Sequence, residues 1–474
     1  MANDVIQFVD SIASSPTVRL DLNDGVNWNG ADFYAPPPRL RRSMSSNAMT
    51  NGAVVSSSVY DQRVLTITCQ IITASQDTAA TELQKLAREL DRDTNYLKWQ
   101  VNGLSSPVFF KTERADFTDA VVVQASKAYY EVTIEVLAEP LALGLRETLS
   151  IGAITTATGY FDVSSANIKG DAAAPFILTD SAPDSGFTQG TSANASLYWL
   201  LARSTRSATS QPIRTEANTL TMGTDTAVSG SDAVTTFAST SSATRLTWSP
   251  TGATAAAMGG TYRLMVGATL STVTTSASMN ISAKYGSGSV ANLDCANSFT
   301  GYPIDPTGSR KYLFDFGLIS FTAAEAMALA PRVELIASVS SITNTRTLTW
   351  DFVYLVPTDE AATLAKATYL PAGSMPGGGS YPTASPMVFD GVEDSVYIAS
   401  STSIFSTATP VLPGWVSYSG AIPTLLPNTN NRFAYMRYAD PQGAPPFTEY
   451  SNAASGTLTL YYHPRYLLLR PASS

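Results

Sequence analysis

The chain has 474 residues, of which 44% are hydrophobic, 10% aromatic and only 14% charged. That length exceeds one ordinary core, so roughly two to four domains are expected, and the apolar content excludes a disordered chain. A net charge of −9 without a basic stripe excludes nucleic acid as the main partner, since such binding needs clustered Lys and Arg to release counterions. The charged fraction is well below the roughly 25% usual for globular proteins, so the polar surface is built from Ser, Thr, Asn, Gln and Gly. Surfaces of that kind suit proteins packed against neighbours, because fewer charges lose water at each contact. Two distant cysteines, Cys69 and Cys295, make neither a disulfide framework nor a zinc spacing. The N-terminus lacks a secretory pattern and no apolar run reaches membrane-span length, so assembly in a cytoplasm without membrane insertion is expected.

Residues 1–150 carry 13 basic and 18 acidic side chains of the chain's 29 and 38, which leaves 16 and 20 for the other 324. The charged fraction falls from about one in five to about one in nine, and this marks a domain boundary near 145–165. Residues 63–71 alternate, with Leu65, Ile67, Cys69 and Ile71 on one side, as a half-buried strand does. A helix is predicted over 78–92, with Ala79, Leu83, Leu86, Ala87 and Leu90 on one face. Glu82, Lys85, Arg88, Glu89 and Arg92 cover the other face, and Asp77 or Thr78 caps the first turn. Strands follow at 96–101 and 108–111, then one long strand over 121–137. The first region is therefore α+β, one helix on a mostly antiparallel sheet. Arg39, Arg41 and Arg42, after Pro36-Pro37-Pro38, read as a solvated turn or an inter-subunit salt-bridge donor.

From about residue 165 the helical period fades and strands recur at β-sandwich spacing, so the chain as a whole is mainly β. One predicted face carries Tyr312, Phe314, Phe316 and Leu318, and another carries Leu348, Trp350, Phe352 and Tyr354. The Ser/Thr/Ala-rich stretch 204–244 reads as loops with short edge strands. Thr358 is expected to cap a short helix or turn. Four prolines and four glycines make 371–386 a linker, and 387–474 is again β. The resulting division is 1–150, a β-sandwich module over 165–370, the linker, and a C-terminal β region that either stands alone or completes the second domain.

Three segments carry a resemblance. The first is the strand–helix–strand order of 61–140, from Arg63-Val64-Leu65-Thr66-Ile67 to Ala138-Glu139-Pro140. The second pairs Gly170-Asp171-Ala172-Ala173-Ala174-Pro175-Phe176-Ile177-Leu178 with Trp350-Asp351-Phe352-Val353-Tyr354-Leu355-Val356-Pro357-Thr358-Asp359-Glu360. The third is Pro423-Thr424-Leu425-Leu426-Pro427-Asn428-Thr429-Asn430-Asn431, followed by a strand ending His463-Pro464-Arg465-Tyr466. In this order they resemble distal tail proteins and minor tail proteins of long-tailed (siphovirus) bacteriophages, with an inserted jelly-roll module; region 180–345 has no counterpart. The resemblance implies a tail-tube-like N-terminal domain forming a ring, usually a hexamer, at the virion's tail tip. The ring would join tail-tube and hub proteins, in a particle assembled in the host bacterial cytoplasm.

His463 is the only histidine, it precedes Pro464, and no G-x-S-x-G occurs, so a structural role is favoured over a triad. Asp390 with Glu393 and Asp394, and Asp359 with Glu360, are the carboxylate candidates for a polysaccharide or cell-wall hydrolase, and turn capping explains both groups. No catalytic residue, metal or cofactor is expected. Host-surface glycan binding is the sharper hypothesis for the middle region, with Trp248, Tyr285 and Tyr302 as stacking platforms and Asn292 and Asp294 as polar partners. Trp350, on the apolar side of its strand, is expected in the core. An adhesin or capsid-decorating protein is the remaining alternative.

Overall fold

A computed structural model describes residues 4–45, 54–113, 115, 117–124, 128–152, 159–181, 197–204, 213–270, 277–304, 310–323, 326, 330–342, 346–357, 364–369, 386–399, 404–405, 410–411, 416–439 and 457–467. The protein is mainly β, and its sheets are antiparallel throughout.

The N-terminal sheet runs in the order Val18–Asp21, Val5–Val9, Asn95–Gln100, Val108–Thr112, Tyr129–Ala138, Arg63–Ile72, Trp28–Tyr34. Leu65, Ile67, Cys69 and Ile71 point inward from the strand Arg63–Ile72, as their period-2 spacing requires. The helix Gln76–Leu90 lies on this face and buries Ala79, Leu86 and Leu90. Its cap is Ser75, not Asp77 or Thr78: the Ser75 hydroxyl accepts from the Thr78 amide at 3.2 Å, closing the first turn from one residue earlier. Two side chains expected on the solvated face are buried instead. Glu82 accepts from the Trp28 indole at 3.0 Å and from Lys85 at 2.8 Å. Glu89 takes a bidentate Arg92 and an amide hydrogen bond from Asn95 at 3.2 Å. Helical spacing marks a face as polar, but it does not say whether a sheet residue will reach up to meet it. The long strand expected over 121–137 is a hairpin, Phe117–Gln124 and Tyr129–Ala138, and Ala128 takes a left-handed φ of 47° at its turn.

Two β-sandwiches follow, and their strands interleave along the chain. The base sandwich has an outer sheet of Glu147–Gly152, Thr457–Tyr462, Phe176–Ser181, Met387–Asp390, Ser395–Ala399 and Pro410–Val411. Its inner sheet is Tyr160–Val163, Asn431–Ala439, Leu197–Ser204, Leu364–Tyr369 and Val416–Gly420. The second sandwich, residues 213–357, is inserted between two neighbouring strands of that inner sheet, Leu197–Ser204 and Leu364–Tyr369. The stretch 165–370 is therefore divided between two cores, because its flanking strands pair with strands from 387–462. Of the predicted linker 371–386, residues 371–385 lie outside the described residues, as does the Thr358 cap.

The sandwiches stack face to face. The inner sheet offers Leu200, Ala202, Leu364, Ala434 and Met436, and the facing sheet of the insert offers Met265, Leu313, Phe352, Tyr354 and Val356. Four sheet layers result. Gly267 is required in this seam, since a Cβ there would lie 2.6 Å from the Phe352 ring. The seam is tied by the Tyr354 hydroxyl, which donates to the Gly159 carbonyl at 2.6 Å, and by Lys366 of the base, 3.9 Å from Asp315 of the insert. Asp315 also holds Arg263 in a fork of 3.0 and 2.6 Å.

Two predicted faces are broken by bulges. In Arg310–Phe321 the register shifts at Gly317, whose φ is +87°, so Phe314 and Phe316 enter the core while Leu318 turns to solvent and Ile319 and Phe321 go inward. In Thr347–Pro357 the shift falls between Trp350 and Phe352. Leu348 and Trp350 fill the insert's core, and Phe352 and Tyr354 point the other way into the seam.

Candidate assembly surface

Between the strands Trp28–Tyr34 and Arg63–Ile72 the chain leaves the N-terminal sheet as a separate two-stranded ribbon, Leu40–Ser45 with Val54–Tyr60. No other strand pairs with it among the described residues. At its base Leu40 and Tyr60 are cross-strand partners, and Tyr34, Leu40, Val59, Tyr60 and Val64 are all exposed, Tyr34 by 65%. Large apolar side chains left exposed on the ribbon and on the strands that lead into and out of it are the kind of surface that marks a contact with another molecule. Arg41 lies on the ribbon, 2.6 Å from Asp61, and is largely solvated. Among the described residues the sheet also ends in the edge strands Val18–Asp21 and Trp28–Tyr34, whose outer backbone groups an assembly can cover. The ribbon was missed in the sequence, although Val54–Tyr60 is a β-branched run following the polar Ser45–Asn51.

The expected glycan constellation does not come together. Trp248 is a core residue, 4% exposed, with its indole donating to Thr215 at 3.2 Å. Tyr285 packs on the same core edge-to-face with Phe321. Tyr285 and Trp248 both stand opposite Val333 in the far sheet, so they share its inner face. Asn292 and Asp294 are exposed and alternate with Leu293, the cross-strand partner of Tyr285, which puts them on the opposite face. Asp294 is 3.5 Å from Lys284. Tyr302 stands on Phe299–Ile304 opposite Met279, and its side chain is outside the described residues. A strand-end position in sequence does not reveal which side of a sheet faces out, and here Trp248 and Tyr285 face in.

Asp390 caps its own turn, accepting from the amides of Val392 at 2.9 Å and Glu393 at 3.1 Å, while Asp394 accepts from the Tyr418 hydroxyl. Asp359 and Glu360 lie outside the described residues. The His463 ring nitrogen Nδ1 is 3.0 Å from the Gly144 carbonyl, and burial lowers its pKa, followed in effect by that backbone hydrogen bond, which raises it. Among the described residues no three His, Cys, Asp or Glu form a metal-binding group, and no helix is long and apolar enough to cross a membrane. Burial pushes both thiols up to about 12, so Cys69 and Cys295 are expected to stay unmodified by a disulfide reagent at pH 8 in the folded protein. Both should react within minutes in denaturant. Rapid native labelling of Cys69 would contradict its place in the core.

No protein-family model matches this sequence, and neither does any curated protein. Among solved structures it is similar to the Dit protein (gp 19.1) of phage SPP1, described as a paradigm of the hub adsorption apparatus in phages infecting Gram-positive hosts. That likeness spans 98% of this chain and 99% of the other, at 10% identity and a TM-score of 0.33. A chain of the phage p2 baseplate in its activated conformation is matched over 76% of this chain and 99% of its own, at 6% identity and a TM-score of 0.22. A chain of the infectious bursal disease virus Gx strain is matched over 79% and 78%, at 7% identity and a TM-score of 0.18. All three scores are too low to carry an argument about function.

Proposed function

We propose that the protein is a structural, non-enzymatic component of a bacteriophage tail tip, where its N-terminal domain forms a ring that joins the tail tube to the adsorption apparatus. The observation that carries this reading is the ribbon Leu40–Ser45 and Val54–Tyr60. It stands outside its sheet and exposes apolar side chains at its base, beside edge strands that an assembly can cover. Such a surface is costly for a monomer and is satisfied when identical copies close on one another. The order of the three resembling segments supports the placement in a tail, and sixfold symmetry follows from that resemblance. The inserted sandwich is held by a continuous apolar seam, so it is a fixed outward projection of each subunit.

Light scattering and negative-stain imaging of the purified chain test the reading. A closed ring of about six copies is expected from the resemblance, and a Leu40→Glu/Tyr60→Glu double variant should run as a monomer with an unchanged melting temperature. Rings that persist in the double variant, or a wild-type chain that stays monomeric at high concentration and with a tail-tube partner present, would overturn it.

A further inference from the structure

The last described residues of the chain do not belong to the sandwich that precedes them. Arg465–Tyr466 forms a strand on Ala142–Leu143, which itself pairs with Val108–Thr112 of the N-terminal sheet. Tyr466 is counted in that domain's core. Behind it the Arg63 guanidinium is 1% exposed and donates to the carbonyls of Pro140, Tyr466 (3.3 Å) and Leu467 (2.8 Å). Two of the three acceptors of this buried cation therefore come from Tyr466 and Leu467, and the carboxylate of Asp171, whose charge acts on Arg63, accepts from the Leu467 amide. On the other side the amides of Asp171 and Ala172 donate to the Arg465 carbonyl at 2.9 and 3.1 Å, and Gly144 donates to Pro464 at 2.8 Å. Gly170, at φ +101°, leaves room for this crossing, since a Cβ there would lie 2.8 Å from the Arg465 carbonyl oxygen.

We propose that His463–Leu467 is a clasp on the N-terminal domain, which closes only when this segment is threaded between Arg63 and Asp171. Arg63 opens the strand that returns from the ribbon, so the clasp ties the base of that ribbon to residues 403 and 404 positions further along the chain. Until they are in place, a buried guanidinium lacks two acceptors and the strand Ala142–Leu143 has one free side, both of which keep the region open. Chains cut short would then carry a complete base sandwich, through Thr457–Tyr462, beside a loosened N-terminal domain. The inference concerns the chain itself and holds whether or not the assembly reading does.

A variant ending at Tyr462 lacks the twelve residues His463–Ser474. Amide exchange in Val108–Thr112 and Ala142–Leu143 is expected to speed up roughly tenfold or more, while Phe176–Ser181 and Thr347–Pro357 keep their protection. Adding the synthetic peptide His463–Ser474 at millimolar concentration should restore slow exchange in the first two segments. Full-length Gly170→Val, which blocks the crossing without removing it, should show the same local loss. Unchanged exchange in both variants would overturn the proposal, and so would a loss spread through both sandwiches, because that would make the segment a general stability element instead of a clasp on one domain.

Discussion

Trp350→Ala should strongly destabilise the inserted sandwich while leaving the N-terminal domain intact. Trp350 is fully buried on the central strand Thr347–Pro357, between Asp232–Thr236 and Gly260–Leu270, and its indole donates to the Thr235 hydroxyl at 2.9 Å. Removing a buried indole costs about 3–5 kcal/mol, from lost transfer energy and the cavity left behind. The Thr235 hydroxyl, itself buried, loses a partner as well, for about another 1 kcal/mol. A domain of this size has only about 5–15 kcal/mol in total, so the loss takes a large share of it. The same strand supplies Phe352 and Tyr354 to the seam, so the base sandwich should be weakened with it. In calorimetry the transition of the stacked sandwiches is expected to fall by roughly 10 °C or more, with the transition of the N-terminal domain in place. A shift of only a degree or two would mean that the strand is not the centre of the insert.

The second large effect is expected at Glu82. This carboxylate is 4% exposed on the helix Gln76–Leu90, and it receives the Trp28 indole, Asn27 (3.4 Å) and Lys85. Glu82→Ala removes the acceptor of a buried indole and leaves Lys85 without its partner, at a cost of about 3 kcal/mol. Glu82→Gln keeps an acceptor for the indole and should lose about 1 kcal/mol. Urea-dependent amide exchange in the helix Gln76–Leu90 separates the two. Equal losses would show that the charge itself is what the helix needs, whereas the ordering Ala worse than Gln would assign the effect to the indole hydrogen bond. If the ring reading holds, the alanine variant should also assemble poorly, because the helix braces the sheet that carries the ribbon.

Much of the fold was legible in local sequence. The strand Arg63–Ile72, the helix over most of its length and the mainly β character of the rest follow from periodicity, because side chains must alternate on a strand and recur every three to four residues on a helix. Trp350 in a core also followed from its place on an apolar face. The partnerships did not. The bulges at Gly317 and around Asp351 each turn one apparent face into two, and a one-residue slip sends every later side chain to the other side. Nothing local in Thr347–Pro357 distinguishes residues facing their own core from residues facing a second sandwich.

The candidate site shows the same division. Composition by itself determined a largely apolar chain with few charges, and periodicity determined its mainly β character. Only the tertiary structure decided which surfaces are free. It turned Trp248 and Tyr285 inward, separated them from Asn292 and Asp294, raised the ribbon clear of its sheet, and brought residue 467 back to residue 63. These outcomes depend on contacts between residues hundreds of positions apart. Such contacts form wherever burial and hydrogen bonding are jointly satisfied, and no local pattern records where that will be.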